Sequence, residues 1–120
     1  MAELDLSSEI SVLRETFASV RQVVDVSRLT AEIERLKGEA SDPNLWDDAA
    51  KAQTVTSKLS RSQSQLSKLT DVEARLDDLE VLIEMANAEA DSGVQAEAKN
   101  ELAKLSTEIG ELEVQTLLNG

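Results

Sequence analysis

Apolar residues at Leu6, Ile10, Leu13, Phe17, Val20 and Val24 alternate steps of four and three. That spacing lines one face of an α-helix. A second run, Val26, Leu29, Ile33, Leu36 and Ala40, keeps the rhythm out of phase with the first. The pattern therefore predicts two helices, about 5–24 and 27–40, with the break between Val24 and Ser27. Asp25 is placed to cap the second, its carboxylate accepting orphan amide protons of the first turn. Gly38 weakens that helix and Ser41-Asp42-Pro43-Asn44 stops it, because the residue before a proline is pushed out of the α region and Asn and Asp favour turns.

Leu45 and Trp46 interrupt an otherwise polar connector, and Asp47 and Asp48 open the next helix, where carboxylates meet the positive end of the dipole. Ala52, Val55, Leu59, Leu66, Leu69, Val72, Leu76, Leu79, Ile83 and Ala86 then hold a stripe, with Ser62 in one vacant position. Thr70-Asp71-Val72-Glu73 fits a capping box where the stripe slips. The choice is one helix of about 40 residues, roughly 60 Å long at 1.5 Å per residue, or two with a kink. The stripe favours one, over about 47–88. Asp91-Ser92-Gly93 supplies a turn, and Ala98, Leu102, Leu105, Ile109, Leu112 and Leu117 mark a last helix over about 94–118. Two long stripes joined by so short a turn pack as an antiparallel hairpin, with the first two helices covering its exposed face. The expected fold is all-α, a single helical domain over 1–120 with a long, coiled-coil-like hairpin.

Composition agrees: aromatics are 2% of the 120 residues, with four Gly and one Pro, far from the β-branched and aromatic strands of sandwiches and barrels. The chain has no Cys and no His, which excludes Ser-His-Asp and papain-like catalysis and ordinary zinc sites. MAELDLSSEI lacks the basic and apolar regions of a secretion signal, and no apolar run reaches the length of a bilayer span. The expectation is a soluble, cytoplasmic protein.

The formal net charge is −12, which argues against a nucleic-acid-binding module and for attraction to basic proteins. The charge is uneven. From Ala49 to Thr70 there are four basic residues, Lys51, Lys58, Arg61 and Lys68, and no acidic one. From Asp71 to Glu111 there are twelve acids against Arg75, Lys99 and Lys104. The four cations recur at steps of seven, three and seven, on one helical face. Such a face serves to pair with acids of the bundle or, failing that, to meet phosphates.

Carboxylate pairs such as Asp47-Asp48, Asp77-Asp78, and Glu111 with Glu113 diverge on a helix rather than converge on one proton or metal. Asp42, Asp47 and Asp48 lack the ligand spacing and central Gly of a calcium loop, and no Gly-rich phosphate loop is present. No catalytic, cofactor-binding or metal-binding constellation is expected, and the chain does not read as an enzyme. Trp46 reads as a plug for one end of the bundle, its indole N–H on a carbonyl, with a partner hot spot as the second reading.

Ser41-Asp42-Pro43-Asn44-Leu45-Trp46-Asp47-Asp48, then Ala52-Gln53, a Leu-rich helix, Leu112-Glu113 and Leu117-Leu118-Asn119-Gly120 together resemble the N-terminal domain of the bacterial peptide chain release factor 2 family. The Asp-Pro-x-x-Trp element is the most specific part, and it favours this family over release factor 1. The resemblance covers essentially the whole chain. It implies a noncatalytic helical bundle of a class I factor that acts in translation termination at UGA and UAA stop codons. The Gly-Gly-Gln and Ser-Pro-Phe tripeptides that the family uses for peptidyl-tRNA hydrolysis and codon reading do not occur here. Met1 reads as a genuine start and Gly120 as the point where the family's next domain begins, so the expectation is the first domain of a longer factor.

By the same resemblance the partners are the ribosome, at the stalk base near ribosomal protein L11, and the GTPase release factor 3. The full factor would engage the mRNA stop codon and peptidyl-tRNA through domains absent here, with no membrane and no direct nucleic-acid binding by this domain. Within the acidic stretch the hairpin end, around Ala88 to Gly93, lies furthest from Gly120 along the last helix, which singles out Glu89 and Asp91 as partner contacts. The competing reading is a self-assembling coiled-coil protein, its stripes buried between chains. Broken heptads at Ser62 and near Thr70 and the Trp-bearing connector count against it. A secreted helical hairpin of the Trp-x-Gly type fails because Asp47-Asp48 follows Trp46.

Overall fold

A computed structural model describes residues 6–119, the side chain of Asn119 excepted. Its elements are α1 (Leu6–Val24), α2 (Val26–Ala40), a 3-10 turn (Pro43–Asp47), α3 (Ala49–Glu89) and α4 (Ser92–Asn119), with no strand among the described residues. The chain is all-α, and α3 and α4 form its hairpin. It divides into two compact units, one built from the segments up to Val24 and from Asp71 onward, the other from Asp25–Thr70.

The first break lies at Asp25, whose backbone is left-handed (φ 59°). Its carboxylate accepts the Arg28 amide at 3.2 Å and its carbonyl accepts the Leu29 amide at 2.9 Å. A side-chain cap there satisfies donors that the first turn of α2 leaves orphaned. The cap sits where the apolar stripe changes phase, and it separates Val23, which is exposed, from the buried Leu29, Ile33 and Leu36.

In the first unit, α1 contributes Leu6, Ile10, Phe17 and Val20 to the core. The second half of α3 adds Val72, Leu76, Leu79, Ile83 and Ala86, and α4 adds Ala98, Leu102, Leu105, Ile109 and Leu112. Leu76 and Leu105 are 0% exposed within this one chain, so the stripes meet each other rather than wait for a second copy. Each such leucine contributes about 1.5–3 kcal/mol through the area it removes from water. No polar or charged residue is buried as a whole among the described residues. Leu117, which continues the α4 stripe by spacing, is instead 73% exposed.

The second unit packs α2 against the 3-10 turn and the first turns of α3. Its core is Leu36, Leu45, Ala52 and Val55, flanked by Ala40 and Leu59. Thus α1 covers the hairpin as expected, whereas α2, whose apolar stripe is out of phase with that of α1 in the sequence, belongs to this separate core. Asp42 caps the 3-10 turn through the Asn44 amide (2.9 Å), with Pro43 at its first position, where a missing N–H costs nothing. Asp48 caps α3 through the Lys51 amide at 3.1 Å.

α3 runs unbroken for 41 residues, about 60 Å at 1.5 Å per residue. The Thr70 hydroxyl donates back to the Leu66 carbonyl at 3.0 Å, a bond made inside a helix rather than at its start. The helix ends at Ala90, left-handed at φ 51°, whose amide reaches the Ala86 carbonyl at 3.0 Å. This is the single-bond αL stop, here with alanine in place of the usual glycine.

Candidate functional site

Asp91 accepts the amides of Gly93 at 2.8 Å and Val94 at 3.4 Å, and its carbonyl takes the Gln95 amide at 2.9 Å. Its carboxylate is therefore the N-cap of α4 as well as part of the acidic hairpin end. A Cβ on Gly93 would stand 3.2 Å from that carboxylate, so the small residue keeps the cap open. Glu89 is exposed on the last turn of α3. Glu84, Glu89 and Glu97 have no ion-pair partner among the described residues, so this end presents uncompensated negative charge.

Lower in the same unit, arginines are used to hold helices. Arg14 on α1 forks between Asp77 (2.5 Å) and Glu80 (2.7 Å) of α3. Its guanidinium is raised above its ordinary range by the Glu80 bond first, then by Asp77. Arg21 pairs with Glu73, and Arg75 of α3 pairs with Glu108 of α4 at 2.5 Å. Among the described residues no group of three or more His, Cys, Asp or Glu side chains gathers to hold a metal ion. Asp77 and Asp78 diverge, the former held by Arg14.

The basic face of α3 departs from expectation. Lys51, Lys58, Arg61 and Lys68 are all exposed, and none makes an ion pair among the described residues. For Lys58 and Arg61 the reason is local. The i±4 neighbours are Thr54 and Ser62 for Lys58, and Ser57 and Gln65 for Arg61, so no carboxylate lies within a turn of either. Across on α2, Glu32 is already taken by two bonds from Arg35, at 2.6 and 3.2 Å. The Arg35 bond holds the Glu32 carboxyl below its ordinary range, with Lys58 and Arg28 adding weaker attraction. Asp25–Thr70 carries seven basic and seven acidic side chains, so the whole net charge of −12 lies in the other unit.

Trp46 also departs from expectation. Its indole N–H does reach a carbonyl, that of Ala40 at 3.3 Å, but the side chain is 59% exposed and plugs nothing. Leu45, 6% exposed, takes the buried place. The short turn places Leu45 with Leu36, Ala52 and Val55 and leaves the adjacent ring outside. Sequence reasoning also missed a groove of about 390 Å³ between α1 and α4, lined by Leu6, Glu9, Val12, Leu13, Leu102 and Ser106 among others. Glu9 Oε2 is buried there without a hydrogen-bond partner; its place beside the α1 stripe was the one available signal.

Residues 29–120 match the model of the PCRF domain. The chain belongs to the PCRF domain family. The match begins in α2 and takes in the 3-10 turn, α3 and α4. Beyond it, the chain is 47% identical over 117 residues to peptide chain release factor 2 of Kineococcus radiotolerans and 45% identical over 120 residues to that of Salinispora arenicola. It is 48% identical over 120 residues to the Mycobacterium avium protein of the same name. These alignments cover 98%, 100% and 98% of this PCRF domain chain and 32% of each relative. The chain therefore spans about a third of the length of the relatives it matches. No described helix is long and apolar enough to cross a membrane.

Proposed function

We propose that this chain is the noncatalytic N-terminal domain of a class I release factor of the type 2 kind. In this reading it acts in the cytoplasm, in termination at UGA and UAA codons, and places the codon-reading and hydrolytic domains without performing chemistry itself. The observation that carries the reading is 43–48% identity to release factor 2 proteins over at least 97% of the chain. The Gly-Gly-Gln and Ser-Pro-Phe tripeptides do not occur in the sequence, which supports the noncatalytic part. The acidic hairpin end is the surface that approaches the stalk base near ribosomal protein L11 and the GTPase release factor 3. Its charge complements a basic protein.

The test is a chimera in which this chain replaces the matching third of the Mycobacterium avium factor. Peptide release at UGA by purified ribosomes should stay close to that of the parent, and the 120-residue chain alone should release nothing. A folded chimera that binds ribosomes no better than an unrelated helical bundle would overturn the reading. For the surface itself, E89K paired with D91N changes the charge while Asn retains the α4 cap. Release should then fall, with an unchanged melting curve. Unaltered release removes Glu89 and Asp91 as contacts.

A further inference from the structure

The unpaired cations of α3 form a built electrostatic surface with an assignable partner. Lys51, Lys58, Arg61 and Lys68 are exposed and span 18 residues of continuous helix, roughly 26 Å from first to last at 1.5 Å per residue. The exposed positions between them are short hydrogen-bonding side chains, including Gln53, Thr54, Ser57, Ser60, Gln63, Ser64, Gln65 and Ser67. None of the large apolar side chains exposed on the described surface falls between Trp46 and Val81. A protein partner needs apolar or aromatic anchors at the centre of its footprint. A phosphate backbone needs separated cations and polar donors, and no apolar anchor. We infer that this face of α3 binds the phosphate backbone of an RNA helix through Lys51, Lys58, Arg61 and Lys68.

The choice of RNA over other polyanions rests on the reading that the chain works at the ribosome. The charge layout is consistent with it. The unit that contains the stripe is neutral overall, so the cations are not outweighed locally, and the acids of that unit lie on α2 and the connector rather than on residues 49–70. Glu32 lies within the field of Lys58, and Arg35 occupies its carboxylate. This departs from what net charge alone suggests: a chain at −12 repels RNA as a whole while one of its units offers a cationic edge.

The experiment uses the whole chain and a fluorescein-labelled RNA hairpin whose stem is as long as the stripe, followed by anisotropy between about 50 and 200 mM KCl. Binding through four phosphate contacts predicts that the logarithm of the association constant falls against the logarithm of salt with a slope of about −3.6. Replacing all four residues by Gln should weaken binding at least tenfold at the lowest salt and bring the slope near zero. The melting curve should not move, since these side chains make no ion pairs. No binding at the lowest salt, the same affinity and slope in the variant, or displacement by polyglutamate as readily as by unlabelled RNA would each overturn the assignment. Any of these results obtained while the chimera still terminates at UGA would sink this inference and leave the proposed function standing.

Discussion

Arg14 joins α1 to α3 by donating from Nη2 to Asp77 Oδ1 at 2.5 Å and from Nε to Glu80 Oε1 at 2.7 Å, so one cation bridges two carboxylates of the acidic hairpin. The fork is partly exposed, which limits its strength to about 1 kcal/mol. R14Q should lower stability by about that amount in urea unfolding at low salt, because Asp77 and Glu80 are left facing each other. The deficit should shrink at about 1 M salt, where the screening length falls to roughly 3 Å. A deficit independent of salt would mean that packing, not charge, is what Arg14 supplies.

Leu105 and Leu117 share one stripe in sequence but not one environment, at 0% and 73% exposed. L105A should cost about 2–5 kcal/mol through the cavity it leaves. L117A should stay within about 0.5 kcal/mol of the parent. Equal losses in urea unfolding would show that α4 is buried to its end.

Ala90 holds a left-handed backbone that suits glycine. A90G should gain about 0.5–1 kcal/mol, the relief at φ 51° outweighing the added freedom of the unfolded chain. A90V should lose stability. A lower melting temperature for A90G would show that the corner is not held in this conformation.

Glu32 gives a pH signature. Its carboxyl is held below the ordinary value of 4.5, first by the Arg35 hydrogen bond. A depressed folded-state value makes the ionised form stabilising above the unfolded value, and that contribution is lost as pH falls through the folded value. The melting temperature of the parent should therefore exceed that of E32Q at neutral pH, and the gap should close below about pH 4.5. A gap that stays constant down to acid pH removes the ion pair as its cause.

Trp46 is the single tryptophan and faces solvent. Its emission should resemble that of free tryptophan, and acrylamide should quench it readily in the folded chain. L45A, at a buried position, should cost about 2–5 kcal/mol, and W46A less despite the larger side chain. Blue-shifted, protected emission would restore the plug.

Most of the helical frame was legible because the apolar spacing carries it. The phase change after Val24 and the carboxylate of Asp25 marked the first break, and the stripe through Leu69 and Val72 outweighed the capping-box pattern at Thr70. What was not legible depended on three-dimensional neighbours. Leu45 and Trp46 are adjacent, and only the direction of a short turn decides which points inward. Leu117 sits on the correct face of α4 but beyond the neighbours that would cover it. The basic stripe was expected to find acids across the bundle, yet Arg35 had already taken Glu32, the acid of α2 that feels Lys58. The hairpin end showed its charge in sequence, while the capping role of Asp91 required coordinates.

The interleaving of the two units sets an order of assembly. The Asp25–Thr70 unit is contiguous, so it can close on itself as soon as α2 and the first turns of α3 exist. α1 is made before its partners, which lie beyond Asp71, so Leu6, Ile10, Phe17 and Val20 stay uncovered until the second half of α3, and then α4, have been synthesised. During chain elongation the amino-terminal helix thus docks only after the intervening unit can have closed. Early closure of that unit removes its internal freedom beforehand, so less chain entropy is left to lose when α1 docks.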